Sequence, residues 1–194
     1  FYGYKVIGMF KEESDFYKKD ADGNFQLDEA GNRIRIAIPK GQQISKNGIW
    51  VGDYIYEDLH EDGVIDEKDR TFLGNPAPKF TFGFNNYFAY KGFDLNIFLN
   101  GSVGNKAVNL IRRTFTDPMR NSNLLKEATD IALIGMHDPE VGDEELSNVY
   151  IVNADRAKVQ RVTTSSANDN NRISSRFIED ASYLRIKNIS LGYT

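Results

Sequence analysis

Residues 79–102 change hydrophobic parity once, and that change leaves the chain few folds to adopt. Phe80, Phe82, Phe84, Asn86, Phe88 and Tyr90 occupy the even positions, with Thr81, Gly83, Asn85, Tyr87 and Ala89 between them. After Lys91-Gly92 the apolar residues become odd: Phe93, Leu95, Ile97 and Leu99, with Asp94, Asn96 and Asn100 polar. A two-residue turn at Lys91-Gly92 produces this switch, because residues paired across a hairpin point to the same side of the sheet. Tyr90 then pairs with Phe93, Phe88 with Leu95, and Phe84 with Leu99. One face is apolar and aromatic; the other carries Thr, Asn, Asp and Gly. Each arm is about 9–11 residues, the length of a tilted strand that crosses a bilayer core. Tyr90 and Phe93 flank the turn, where a membrane barrel carries an aromatic girdle. The same alternation also fits a soluble sandwich with one face on a core.

Composition narrows the classes around this hairpin. The 194 residues contain thirteen Phe and ten Tyr against one Trp, and sixteen Gly, a balance that favours strands. At 194 residues the length suits about one domain or two small ones. The net charge of −4 is too mild to point to nucleic acid, and the absence of cysteine excludes disulfides and thiolate zinc sites. No run of about 18 apolar residues marks a transmembrane helix, but barrel strands are nearly invisible to hydropathy. The chain opens at Phe1 without a signal peptide, as a mature product or a piece of a longer protein would.

Elsewhere the elements are shorter. Residues 1–10 read as a strand, and residues 11–32 as a polar insertion with turns at Asp20-Ala-Asp22-Gly23-Asn24 and Ala30-Gly31-Asn32. Ile34, Ile36 and Ile38 alternate before Pro39, and a further strand is expected over residues 50–56. Residues 103–176 are long, polar and irregular. Within them Leu124, Ala128, Ile131 and Ala132 predict a short helix over 124–134, with Ser122 or Asn123 as its N-cap. Residues 164–171 read as a polar linker. Tight turns at one end and long loops at the other match an outer-membrane barrel. Residues 183–194 form a last strand whose parity slips at Lys187-Asn188, which suggests a β-bulge or a change of face. An apolar strand with nothing after it is an aggregation hazard, so a truncated chain is expected.

Residues 58–69 follow the twelve-residue numbering of an EF-hand loop. Asp58, Asp62, Asp66 and Asp69 fall at positions 1, 5, 9 and 12, Gly63 at 6, and Val64 at 7, where a backbone carbonyl ligates. Ile65 at position 8 would anchor the loop to a core. Two positions depart from the pattern: His60 at 3 is a poor calcium ligand, and Asp69 replaces the longer bidentate Glu. The candidate ligands are Asp58, His60, Asp62, Val64, Asp66 and Asp69, for a structural Ca2+; the alternative is a solvated acidic turn. No catalytic constellation stands out. His60 and His137 are the only histidines, His137-Asp138-Pro139 reads as a turn, and no G-x-S-x-G, P-loop or G-x-G-x-x-G occurs. The chain is not expected to be an enzyme.

Several segments together resemble a known family. They are Gly52-Asp53 leading into the acidic loop, Asp69-Arg70, Gly74-Asn75-Pro76 with Pro78-Lys79-Phe80, Tyr90-Lys91-Gly92-Phe93-Asp94-Leu95, and residues 176–193 from Arg176 through Asp180, Tyr183, Arg185, Asn188 and Leu191 to Tyr193. The opening Phe1-Tyr2-Gly3-Tyr4-Lys5-Val6, with Gly8 and Phe10, fits as well. This order resembles the C-terminal part of the SusC/RagA family of TonB-linked outer-membrane transporters, typical of Bacteroidetes. His60 stands where that family usually has asparagine. The resemblance implies an all-β fold: a segment of an antiparallel up-and-down transmembrane β-barrel, open here, with about six to eight strands and long extracellular loops containing short helices. Residues 1–194 would belong to the C-terminal barrel domain, without plug or last strands; whole barrels of this kind have about 22 strands. Phe80, Phe82, Phe84, Phe88, Tyr90, Phe93, Leu95, Ile97 and Leu99 would face outer-membrane lipid. The partners implied are a SusD-like surface lipoprotein, TonB through the N-terminal part, and a glycan or peptide substrate. The alternative is a soluble, calcium-stabilised, β-rich carbohydrate-binding module. Exposure of the Phe80–Leu99 face separates the two, and no residue identifies the substrate.

Overall fold

The computed structural model describes all 194 residues, and the chain divides into two compact units. One contains Phe1, Phe72–Asn109 and Ile178–Thr194; the other contains Tyr2–Thr71 and Leu110–Phe177.

The first unit is built on three long antiparallel strands, Phe80–Tyr90, Phe93–Val103 and Tyr183–Tyr193, of 11 residues each, with Phe93–Val103 in the middle. Tyr90 pairs with Phe93, Phe88 with Leu95, and Phe84 with Leu99, the register that parity requires. Lys91 and Gly92 both have positive φ, 47° and 84°. That is the twist of a type I′ turn, which joins two strands without splaying them. The third strand carries the expected bulge. Tyr193, Leu191 and Ile189 pair with Phe93, Leu95 and Ile97; the register then shifts, and Ile186 and Leu184 pair with Leu99 and Gly101. The one extra residue returns Leu184 and Ile186 to the face of Ile189, Leu191 and Tyr193. The ladder resumes as Lys106–Val108 against Ile178–Asp180. Across the gap, Ala181 N–H donates to the Asn105 carbonyl at 2.9 Å and Asn105 Nδ2 donates to the Ala181 carbonyl at 3.1 Å.

The expectation of about six to eight strands in one sheet is corrected: the sheet has three. The remaining strands are two to four residues long and pair two by two, because turns and short 3-10 helices interrupt them before a longer ladder forms.

The second unit has its own core. Phe10, Phe16, Ile49, Trp50, Val51, Tyr54, Val149 and Ile151 are buried in one cluster, and the rings of Phe10 and Phe16 stack at 4.0 Å. Residues 1–10 form two short strands, Tyr2–Tyr4 and Val6–Met9, and the second pairs with Tyr54–Tyr56. The strand expected over 50–56 begins only at Tyr54, because residues 51–53 form a turn. Of the alternating stretch before Pro39, only Ile38–Pro39 is a named strand, parallel to Val64–Ile65. The helix expected over 124–134 is a 3-10 turn, Lys126–Asp130, without a side-chain cap; Ile131 is already extended. The α-helix lies instead at Leu110–Phe115.

The polar insertion is a folded arm built on a repeat of eight residues. Tyr17-Lys-Lys-Asp20-Ala-Asp22-Gly23-Asn24 is followed by Phe25-Gln-Leu-Asp28-Glu-Ala-Gly31-Asn32. In each copy the first Asp accepts two backbone N–H groups: Asp22 and Asn24 donate to Asp20, and Ala30 and Asn32 to Asp28. Those bonds hold both carboxyls below their ordinary pKa, with the Asn24 and Asn32 N–H groups the largest cause. Lys18, Gln26 and Ile34, spaced eight apart, close a ring of backbone bonds of 2.8–2.9 Å. The Arg33 guanidinium lies 4.1 Å from the Phe25 ring centre.

Candidate functional site

The first candidate site is the apolar face of the long sheet. Phe80, Phe84, Phe88, Tyr90 and Phe93 are each more than half exposed, and so are Leu184, Ile186, Ile189, Leu191 and Tyr193 on the third strand. Phe82 is 39% exposed, while Leu95, Ile97 and Leu99 in the middle strand are partly screened by their neighbours. Phe82 is less exposed because it lies over Gly101, where an added Cβ would come within 2.5 Å of the ring. This is an aromatic ring covering a glycine opposite it in the sheet. At the turn Phe93 and Tyr193 meet at 4.6 Å, and the Lys91 ammonium sits 5.3 Å from the Tyr90 ring centre. The opposite face carries Asn85, Tyr87, Asp94, Asn96, Asn100, Arg185 and Ser190. An exposed apolar face of this extent marks a surface that meets lipid or a partner.

The acidic loop is held by its own carboxylates. Asp58 Oδ2 accepts the Gly63 N–H at 2.9 Å, and Asp62 Oδ1 accepts that of Val64 at 3.1 Å. Asp66 Oδ1 accepts the Lys68 N–H at 2.8 Å. Asp69 is buried; its two oxygens accept the N–H groups of Leu59 at 2.9 Å and Asp66 at 2.8 Å. Ile65 is buried in the core, as its place at position 8 predicts. His60 is half exposed, its Nδ1 3.7 Å from Asp69 Oδ1. No three His, Asp or Glu side chains converge as a metal cage would require. Asp58 Oδ1 is the exception among the carboxylate oxygens, buried without a hydrogen-bond partner.

A third feature escaped the sequence reading. Asp53 and Arg161 form a buried ion pair, 1% and 5% exposed, with Nε 3.0 Å from Oδ1 and Nη2 3.2 Å from Oδ2. Arg161 also donates to the carbonyls of Lys46 and Gly48, both at 2.9 Å. Asp53 further accepts from the Trp50 N–H and Asn170 Nδ2, both at 2.9 Å. Asn168, 3% exposed, donates to the Tyr54 carbonyl at 2.9 Å. The stretch 164–171, read as a linker, thus supplies the amides that satisfy a buried network. Tyr54 completes it, donating its hydroxyl to the Lys158 carbonyl and accepting the Gln160 N–H. Burial pushes its phenol well above the ordinary pKa.

Gly52 is required beside this pair. Its φ is +94°, and an added Cβ would stand 2.7 Å from the Arg161 Cβ. Gly52→Ala is expected to destabilise the protein by about 1–3 kcal/mol through strain and crowding. Denaturation of the full chain tests this, and an unchanged midpoint would mean that the turn relaxes freely.

No protein-family model matches the chain. Three curated proteins of Formosa agariphila are similar to it. TonB-dependent receptor P3 is 28% identical over 193 residues, all of this chain and 15% of that protein. TonB-dependent receptor P26 is 32% identical over 144 residues, 74% of this chain and 12% of the receptor. TonB-dependent receptor P39 is 24% identical over 204 residues, again all of this chain, and 18% of its own length. The chain therefore spans less than a fifth of the receptors it matches.

Proposed function

We propose that this chain is part of the barrel of a TonB-dependent outer-membrane transporter. It works as a transporter segment rather than an enzyme, in a protein that imports glycans or other oligomeric nutrients together with a SusD-like lipoprotein. The observation that carries this reading is the exposed apolar face running across three 11-residue strands. The similarity to three TonB-dependent receptors supports it. In a soluble sandwich those side chains would be covered. Phe80, Phe82, Phe84, Phe88, Tyr90, Phe93, Leu95, Ile97 and Leu99 meet lipid, and the Asn, Asp and Ser face meets the lumen. The turn at Lys91-Gly92 is the short periplasmic kind, and the long segment 110–177 is the length of an extracellular loop that helps form the mouth.

Residues 1–194 contain no cysteine, so a thiol introduced among them is the one thiol of this segment. Fluorophores at Phe84→Cys, Leu95→Cys and Ile189→Cys are expected to be quenched by nitroxide lipids. Thiols at Asn85→Cys and Ser190→Cys are expected to react with a water-soluble maleimide. The reverse pattern would remove the barrel reading. Co-purification of a lipoprotein, and loss of nutrient uptake in cells lacking TonB, test the partners.

A second reading concerns the acidic loop. The buried Asp58 Oδ1 lacks a partner, and a structural Ca2+ ligated by Asp58, Asp62, Asp66, Asp69 and the Val64 carbonyl would supply one. His60 at position 3 would weaken such a site. The carboxylates of Asp66 and Asp69 already accept N–H groups, so the ion would have to share them. Calorimetry of the full chain with calcium should show heat that Asp58→Asn abolishes; no heat at millimolar calcium would remove the ion.

A further inference from the structure

A cleft of about 540 Å3 opens in the unit formed by Tyr2–Thr71 and Leu110–Phe177. That volume lies within the range of small-molecule sites, about 300–1,000 Å3. Four cations line it, Lys11, Arg112, Lys158 and Arg176, against one carboxylate, Asp155. Two of the four already have acidic neighbours. Arg112 is bound to Glu127 through two hydrogen bonds, 2.8 and 2.6 Å, and Lys158 Nζ is 4.0 Å from Asp130.

Arg176 is placed differently. Its guanidinium lies 4.8 Å from the Tyr54 ring centre and 5.1 Å from that of Phe177. It donates to Thr116 Oγ1 at 3.1 Å and to Gln160 Oε1 at 3.4 Å, both neutral acceptors. Burial pulls its pKa below the ordinary arginine value, the sign of a cation short of solvent, with the charge of Glu127 opposing the shift. Beside it, Ser175 Oγ accepts the Val6 N–H at 3.0 Å, and its own proton remains available as a donor. Gly8, Ala154 and Ala157 contribute surfaces that project no further than a methyl group.

We propose that this cleft binds an acidic saccharide, with Arg176, Lys11 and Lys158 taking its oxyanion and the small apolar residues taking the C–H face of the ring. The proposal rests on the transporter reading and names the chemistry of the substrate. A guanidinium held by two neutral acceptors keeps further N–H donors, and these suit the paired oxygens of a carboxylate or sulfate. An acidic peptide would seek a strand edge. Here the Val6 N–H already donates to Ser175 Oγ.

Calorimetry on the purified full-length protein in detergent tests this with tri-galacturonate, a sulfated trisaccharide, maltotriose and tri-glutamate. At least one of the two acidic saccharides is expected to bind, more weakly as salt is raised. The tighter of the two identifies the oxyanion. Arg176→Gln should weaken that binding about tenfold or more, through loss of charge-assisted hydrogen bonds. Lys11 and Lys158 are exposed, so the double variant K11Q/K158Q is expected to fold normally and should weaken binding about threefold or more. It decides the question alone if Arg176→Gln fails to fold. Maltotriose binding as tightly as tri-galacturonate, tri-glutamate binding tighter than either acidic saccharide, or unchanged affinity in K11Q/K158Q would each overturn the assignment. Saccharide binding without TonB-linked uptake would leave the cleft standing and remove the transporter reading; uptake without acidic-saccharide binding would remove only the cleft.

Discussion

Arg161→Met is expected to destabilise the protein by about 3–5 kcal/mol, the largest single effect in the second unit. The Asp53 carboxylate is almost wholly buried and shares two short contacts with the guanidinium. Methionine has similar length and fills much of the same space, so little of the loss would come from a cavity. The cost arises because the buried Asp53 carboxyl would lose its cation and be left with only the Trp50 N–H and Asn170 Nδ2. The carbonyls of Lys46 and Gly48 would also lose their donor. Chemical denaturation of the full chain measures the effect. The double variant with Asp53→Leu separates the explanations. It should cost less than Arg161→Met alone, because no unpaired charge would remain. A loss below about 1 kcal/mol in the single variant would mean that water reaches Asp53 and the pair is not what holds the turn.

Ile97→Lys carries the second large effect, about 2–4 kcal/mol in refolding into a bilayer. Ile97 sits in the central row of the sheet, between Asn86 and Ile189. With the sheet in the bilayer as proposed, lysine there would place an ammonium at mid-depth, too far from either interface for its four-carbon stem to reach water cheaply. Asn96→Lys, on the opposite face, is the control, and its expected cost is small. Equal costs at positions 96 and 97 would put both faces in the same medium and end the assignment of one face to lipid.

These two predictions draw on parts of the protein that differ in how readily they can be read from sequence. The hairpin was legible because strand geometry is local. Alternation has a period of two, and Lys91-Gly92 is the only place where the parity of Phe80–Tyr90 can turn into that of Phe93–Leu99. The slip at Lys187-Asn188 was legible for the same reason, but parity alone allows a bulge or a change of face, and the pairing with Phe93–Val103 selects the bulge. The core of the second unit was not legible. Its strands are two to four residues long, too short to print a period. The polar run at 164–171 has the composition of a linker, and nothing local marks Asn168 and Asn170 as partners of Tyr54 and Asp53 more than a hundred residues away. The eight-residue repeat in the arm could have been found, since aromatic-x-x-Asp-x-x-Gly-Asn recurs at once. Each copy also has the form of an ordinary turn signal, which masks the repeat.

By itself the sequence determined the long hairpin: strand lengths, register, the place of its two-residue turn, and which side chains share the apolar face. Each of these follows from the alternation of side chains along a strand and the conformational freedom of one glycine. The tertiary structure alone decided that the rest of the chain has a core of its own. It also decided that Asp53 and Arg161 are buried together, and that Arg176 lines a cleft with its side-chain hydrogen bonds on Thr116 and Gln160. Burial of a charge depends on what long-range packing brings beside it, and residues a hundred positions apart leave no local mark of their meeting.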